Sequence, residues 1–203
     1  MNTRANFFAQ IDAATDAVPA KTALPDYDVS LTHSLPKLAG SDLWEIFCRN
    51  FKAVNGRPME SIAELIAFLQ ESKQVHGYCD PDLMDSVGSQ LAAAGLTVET
   101  AYDRNRYDDY QFGITRATGA IAESGTLILD DDRTSHRLAA LTPWVHVAVL
   151  PNAEIHRGIS DALGALGHCS NIIWCTGPSK TADVEGILIE GVHGPGEQIA
   201  LLV

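Results

Sequence analysis

Ser179, Lys180, Thr181, Asp183 and Glu185 follow Gly177-Pro178 in one short stretch, and His193 stands between Gly191-Val192 and Gly194-Pro195 a few residues on. A packed core needs none of these residue types. A pocket that grips a small anion uses all of them: hydroxyls donate hydrogen bonds, a lysine adds counter-charge, and the backbone N–H groups of a helix start form a cradle. Gly177 and Pro178 fix a sharp turn, after which Ser179 or Thr181 caps a helical turn expected over 181–186. Plain capping, with Lys180 in solvent, is the alternative, yet a cap needs only one of these residues. Asp183 and Glu185 lie two positions apart and cannot share a helix face, so one orients the loop while the other faces solvent or sheet.

Two further loops carry candidate chemistry. In Ala122-Glu123-Ser124-Gly125-Thr126, Glu123 follows an apolar stretch and precedes a hydroxyl and a glycine, a place for a general base or nucleophile. A tight turn in which Glu123 satisfies backbone N–H groups explains the same residues. His193, flanked by glycines that let backbone approach closely, is placed to donate to a ligand or shuttle a proton; a hairpin-like turn with His193 bonded to backbone is the alternative. The working site therefore takes Glu123 and His193 as catalytic candidates, with Ser124, Thr126, Ser179, Lys180, Thr181, Asp183, Glu185 and Gly194 around the ligand. Asp130-Asp131-Asp132-Arg133 with His136-Arg137 reads as a solvated turn rather than a metal site. No glycine-rich nucleotide fingerprint is present, and no cofactor is specified.

The elements that must position these loops follow from periodicity and punctuation. An amphipathic helix is expected over 3–17, then a proline-bearing arm to residue 40 and a body over 41–203. Ser41 opens a helix through Leu43, Trp44, Phe47 and Val54 that stops at Gly56, and Ser61 with Glu64 forms a capping box for the next. Asp80-Pro81 starts a helix that ends at Gly95. Short strands are expected at 75–79, 96–100, 126–129, 145–150, 171–175, 187–189 and 199–203, with a helical interval over 155–166. Strands alternating with helices predict an α/β fold, a Rossmann-like, parallel-rich sheet with helices on both faces. In such sheets ligands gather at the carboxyl ends of strands.

Composition narrows the function classes. With 203 residues, 46% apolar and 20% charged, the chain has the make-up of a soluble globular domain. A net charge of −12 argues against nucleic acid, whose phosphates would be repelled. No secretory signal and no apolar run long enough to span a bilayer are visible, so a cytoplasmic protein is expected. Cys48, Cys79, Cys169 and Cys175 form no C-x-x-C pair, which predicts reduced thiols and no metal or iron–sulfur site of the chain's own.

Taken together, Gly113-Ile114-Thr115, Ala120 to Leu127, Gly177 to Glu185 and Gly191 to Pro195 resemble, in order, the signature of the LUD-domain family, of lactate-utilisation protein C type. The resemblance covers roughly residues 40 to 203. It implies a fold like that of the NagB/RpiA/CoA-transferase group, and a role in bacterial oxidation of L-lactate to pyruvate beside partner subunits that carry iron–sulfur clusters. It brings no agreed catalytic residues. Three readings stay open: a subunit that binds a small anionic substrate or cofactor, a non-catalytic assembly or regulatory protein for the iron–sulfur subunits, and a free-standing enzyme of CoA-transferase or sugar-phosphate isomerase type. A homo-oligomer is also left open.

Overall fold

A computed structural model describes residues 3–16, 26, 28–134, 136–167, 169, 171–182 and 187–203. They belong to two units, Met1–Thr32 and His33–Val203. In the first, helix α1 (Thr3–Asp16) has no buried residue, and a short 3-10 turn covers Val29–Thr32. In the second, elements follow in the order α2 (Leu43–Ala53), β1 (Arg57–Met59), α3 (Ile62–Glu71), β2 (His76–Cys79), α4 (Ser89–Ala93), β3 (Thr97–Glu99), β4 (Phe112–Arg116), β5 (Gly119–Ile121) and β6 (Thr126–Asp130). Then come α5 (Arg137–Leu141), β7 (Val145–Leu150), β8 (Ile155–His156), α6 (Ile159–Ala165), β9 (Ile172–Cys175), β10 (Lys180–Ala182), β11 (Leu188–Glu190) and β12 (Glu197–Leu202).

Six of these strands form a parallel sheet in the order β1-β12-β7-β4-β2-β3. Alternation along the strands divides two cores. Val145, Val147, Val149, Ile199, Leu201, Phe112 and Ile114 face α3 (Leu65, Leu69) and the helical stretch holding Val87 and Leu91. Ala148, Leu150 and Ala200 face the other way, against Trp44, Ile46, Phe47 and Phe51 of α2 and Leu127 and Leu129 of β6. A second, four-stranded sheet, β8-β5-β6-β9, thus covers much of that face, and α6 packs on its far side through Ala162 beside Ile121 and Ile128. The parallel-rich α/β sheet with helices on both faces is as expected; the second sheet is an addition. β10 and β11 form a separate antiparallel hairpin.

Several local expectations are corrected. Asp42, not Ser41, caps α2, accepting from the N–H groups of Trp44 at 2.7 Å and Glu45 at 3.1 Å. Ser61 caps α3 as expected. Asp80 caps the next helical stretch, but that stretch is 3-10 at Pro81–Leu83, π at Met84–Gly88 and α only over α4. The interval expected to be helical from 155 begins as β8. Lys180–Ala182 are a strand paired with Leu188–Glu190 rather than the start of a helical turn, because cross-strand pairing outweighs the local capping signal. Gly113 lets α5 approach β4: a methyl there would sit 1.9 Å from the Ala139 carbonyl oxygen. Among the described residues no helix is long and apolar enough to cross a membrane.

Candidate functional site

Two of the three loops singled out by sequence meet. The Ser179 N–H donates to the Pro195 carbonyl at 2.9 Å, and the Gly191 N–H donates to the Ser179 carbonyl at 2.9 Å. These bonds hold Ser179, His193 and Gly194 around a cleft of about 360 Å³, with Thr176, Trp174 and Gln198 among its other walls. Gln198 and its neighbour His146 are the second residues of β12 and β7, so the cleft lies at the amino ends of those strands.

A polar string runs from this cleft into the sheet. The Gln198 side-chain amide lies within 3.0 Å of His146 Nδ1, and His146 Nε2 is 2.9 Å from Thr115 Oγ1. His146 is fully buried; loss of hydration pushes its imidazole down to about 4, so it is neutral at physiological pH. Thr115, His146 and Gln198 all point to the face that carries α2 and the second sheet, which makes them a buried hydrogen-bonded row among the apolar side chains of that layer. A second row of hydroxyls reaches the rim of the cleft: Ser124 Oγ is 2.7 Å from Thr126 Oγ1, which is 2.8 Å from Thr176 Oγ1. Ser124 and Thr126 therefore stand behind Thr176 rather than at the cleft surface.

Other sequence candidates lie elsewhere. Lys180 Nζ donates to the Val54 carbonyl at 3.1 Å and sits 3.6 Å from Glu190, so it ties the hairpin to the end of α2. Thr181 is inside β10. Glu123 accepts a short hydrogen bond from the Ser34 N–H, while its own N–H donates to the Arg157 carbonyl at 3.2 Å. His33 Nε2 lies 3.7 Å from Asp161, and a methyl at Gly158 would come within 2.6 Å of that nitrogen and 3.2 Å of Glu123 Oε2. Glu123 thus belongs with His33 and Asp161 and is not among the walls of the cleft that holds His193. Gly125, at φ 63°, turns that loop against the backbone of α2. Asp183 and Glu185 lie outside the described residues.

A second hollow is built on the charged segment expected to be a solvated turn. A crevice of about 470 Å³ is lined by Arg104, Asp131, Thr134, His136, Arg137 and Leu138. Thr134 Oγ1 donates to the carbonyl of Arg116, the last residue of β4, at 3.0 Å, which fixes this crevice at the carboxyl end of the sheet. A stack of rings ends on its His136: Tyr110 on Tyr102 at 4.7 Å and Tyr102 on His136 at 4.4 Å. Burial, with the Arg104 charge in support, holds the His136 imidazole below its ordinary value. The charges of 130–137 were the available signal, but nothing local tells that Tyr102 and Arg104 come beside them. Among the described residues no three His, Cys, Asp or Glu side chains gather to hold a metal.

Comparison with known proteins agrees with the fold and the loop signature. A solved structure of a DUF162 family protein from Deinococcus radiodurans superposes with a TM-score of 0.55 over 81% of this chain and 99% of that one, at 19% identity, a likeness of fold. A lactate utilization protein C of Macrococcus caseolyticus is 36% identical over 93 residues, 41% of this chain and 39% of the relative. The protein of the same name from Shouchella clausii is 28% identical over 160 residues, covering 72% and 69%. The chain spans about two fifths of the length of several curated relatives it matches. The LUD domain family model matches residues 81–203, more than half of the sequence, and on that match this chain belongs to the LUD domain family.

Proposed function

We propose that this chain serves lactate utilisation in the cytoplasm, holding a small hydroxy- or keto-acid in the cleft between its two glycine-bounded turns. Ser179, the Gly194 backbone and Gln198 position the ligand's oxygens, and His193 is the group that exchanges a proton with it. The observation that carries this reading is the meeting of Ser179, His193 and Gly194 over Gln198, whose amide is braced from behind by neutral His146. A buried polar group fixed by a satisfied partner is a rigid donor, and rigid donors favour one ligand orientation. Relatives named lactate utilization protein C supply the acid. The electrons of lactate oxidation would pass to iron–sulfur partner subunits. Growth on L-lactate as sole carbon source tests the reading: His193→Gln and Ser179→Ala should each slow growth while the purified variants keep the wild-type circular dichroism. Undiminished growth of both would end it.

A second reading, a docking protein for those partners, is favoured by the surface beside the cleft. Leu188, Val192 and Trp144 are each about half exposed or more, on or next to the β10–β11 hairpin. A specific interface buries roughly 1,200–2,000 Å² in total, and apolar side chains of this kind supply its centre. Leu188→Asp should then abolish co-purification with the iron–sulfur subunits while His193→Gln leaves it intact; co-purification that survives Leu188→Asp would end this second reading.

A further inference from the structure

We infer that the crevice at the carboxyl ends of β2 and β4 binds a phosphate-bearing small molecule, gripped by Arg104, His136 and Arg137, at a site separate from the proposed lactate cleft. The placement comes from topology. From β2 the chain moves outward to β3 and then returns across β2 to β4, after which it continues to β7 and β12 in the opposite direction. That reversal between neighbouring β2 and β4 leaves their following connections on opposite sides, which opens a gap beyond the strand ends where open α/β sheets receive ligands. The walls of the crevice come from those connections. Arg104 stands on the segment between β3 and β4, Asp131, Thr134 and His136 on the segment between β6 and α5, and Arg137 and Leu138 at the start of α5. Thr134 anchors the second wall to the end of β4.

The chemistry of the walls selects the ligand. In a chain of net charge −12, the described residues lining this hollow bring two guanidinium groups and one imidazole against a single carboxylate. That carboxylate is occupied: Asp131 accepts from Nε of Arg137 at 3.0 Å and from its Nη2. Arg137 Nη1 is left over, and among the described residues no hydrogen bond or ion pair holds the Arg104 guanidinium. Planar guanidinium forks match the oxygens of phosphate, which carries about −1.5 to −2 charge near neutral pH. The imidazole is held by ring stacking on Tyr102 rather than through its nitrogens, and His136 Nδ1 is shielded from water with no hydrogen-bond partner among the described residues. Buried polar atoms normally have partners, so His136 is an unusual residue to stand beside an open crevice, and a turn of its ring would bring that nitrogen to a bound ligand. The volume, about 470 Å³, falls within the range of small-molecule and cofactor pockets.

Titration calorimetry on the full chain, with thermal shift alongside, tests this. The probes are inorganic phosphate, a sugar phosphate and a nucleoside monophosphate, with citrate as an anion without phosphorus. At least one phosphate ester should bind and raise the melting temperature. Arg104→Gln, a change at an exposed side chain, should weaken that binding about tenfold or more. His136→Asn should weaken it as well. His193→Gln and Ser179→Ala should leave it unchanged, so failure of the lactate reading and failure of this one give different results. Equal affinity in wild type and Arg104→Gln, citrate binding as tightly as the best phosphate ester, or no response to any phosphate at millimolar concentration would each overturn the assignment.

Discussion

Acid should destabilise this fold through one buried imidazole. His146 is enclosed between Thr115 and Gln198 and stays neutral in the folded state until pH falls to about 4, whereas in the unfolded chain it takes a proton at its ordinary value of 6.5. Between those two values the unfolded state binds more protons than the folded one, so stability is kept above 6.5 and lost as pH falls toward 4. At pH 5 the unfolded imidazole is almost wholly protonated and the folded one about one tenth. The difference amounts to about 2 kcal/mol of stability lost between pH 7 and pH 5 from this residue. Carboxylates contribute their own slope, so the useful quantity is the gap between wild type and His146→Asn. Urea unfolding of both proteins at pH 7, 6 and 5 should give curves that converge on acidification, the variant losing about 2 kcal/mol less. Ring nitrogen shifts in the wild type, followed by NMR, should show a neutral imidazole at pH 5. Parallel stability curves with a protonated ring would refute the argument that burial dominates here.

Three further outcomes are expected. Gly113→Ala places a methyl against the Ala139 carbonyl, so α5 must move off the sheet; a loss of about 1–3 kcal/mol should appear as a lower urea midpoint with the slope unchanged. Asn50 donates from Nδ2 to the carbonyls of Ala122 at 2.8 Å and Lys37 at 3.0 Å, so Asn50→Ala should cost about 1–3 kcal/mol in the same assay. Burial pushes the thiols of Cys48, Cys79 and Cys175 up to about 12, so at pH 8 they should react with a thiol reagent far more slowly in the native protein than in urea. Rapid native labelling of Cys79, mapped by mass spectrometry, would contradict that.

The strands that were easiest to read are those whose pattern is complete in itself. Val-His-Val-Ala-Val-Leu of β7 alternates between two apolar faces, and its bounds 145–150 emerge as expected. β1, β4 and β5 were not foreseen. Arg57-Pro58-Met59 contains a proline, which a strand tolerates because β1 is at the edge of the sheet. Phe112 to Arg116 and Gly119 to Ile121 include glycines that read as turns, yet Gly113 is there because α5 presses on it. The same limit governs the site. Hydroxyls, a lysine and glycines after β9 carry the local marks of a capped helix, and only pairing with Leu188–Glu190 makes Lys180–Ala182 a strand. That pairing turns Lys180 toward Val54 and leaves Ser179 in the cleft. Ser179, His193 and Gly194 were legible together because a few turns join them. Tyr102, Arg104 and His136 were not, since chain reversal around β2, rather than any spacing along the sequence, makes them neighbours.

The strand order also sets a schedule for synthesis. β12 lies between β1 and β7 and pairs with both in parallel, yet it leaves the ribosome long after either. Until it arrives, β1 has no neighbour in the sheet and one flank of β7 exposes bare N–H and carbonyl groups beside Val147 and Val149, the kind of edge on which chains stick to one another. Nascent protein should therefore depend on chaperones up to the moment Glu197–Leu202 slots home, and ribosome stalling just before that segment should yield aggregates rather than a nearly finished domain.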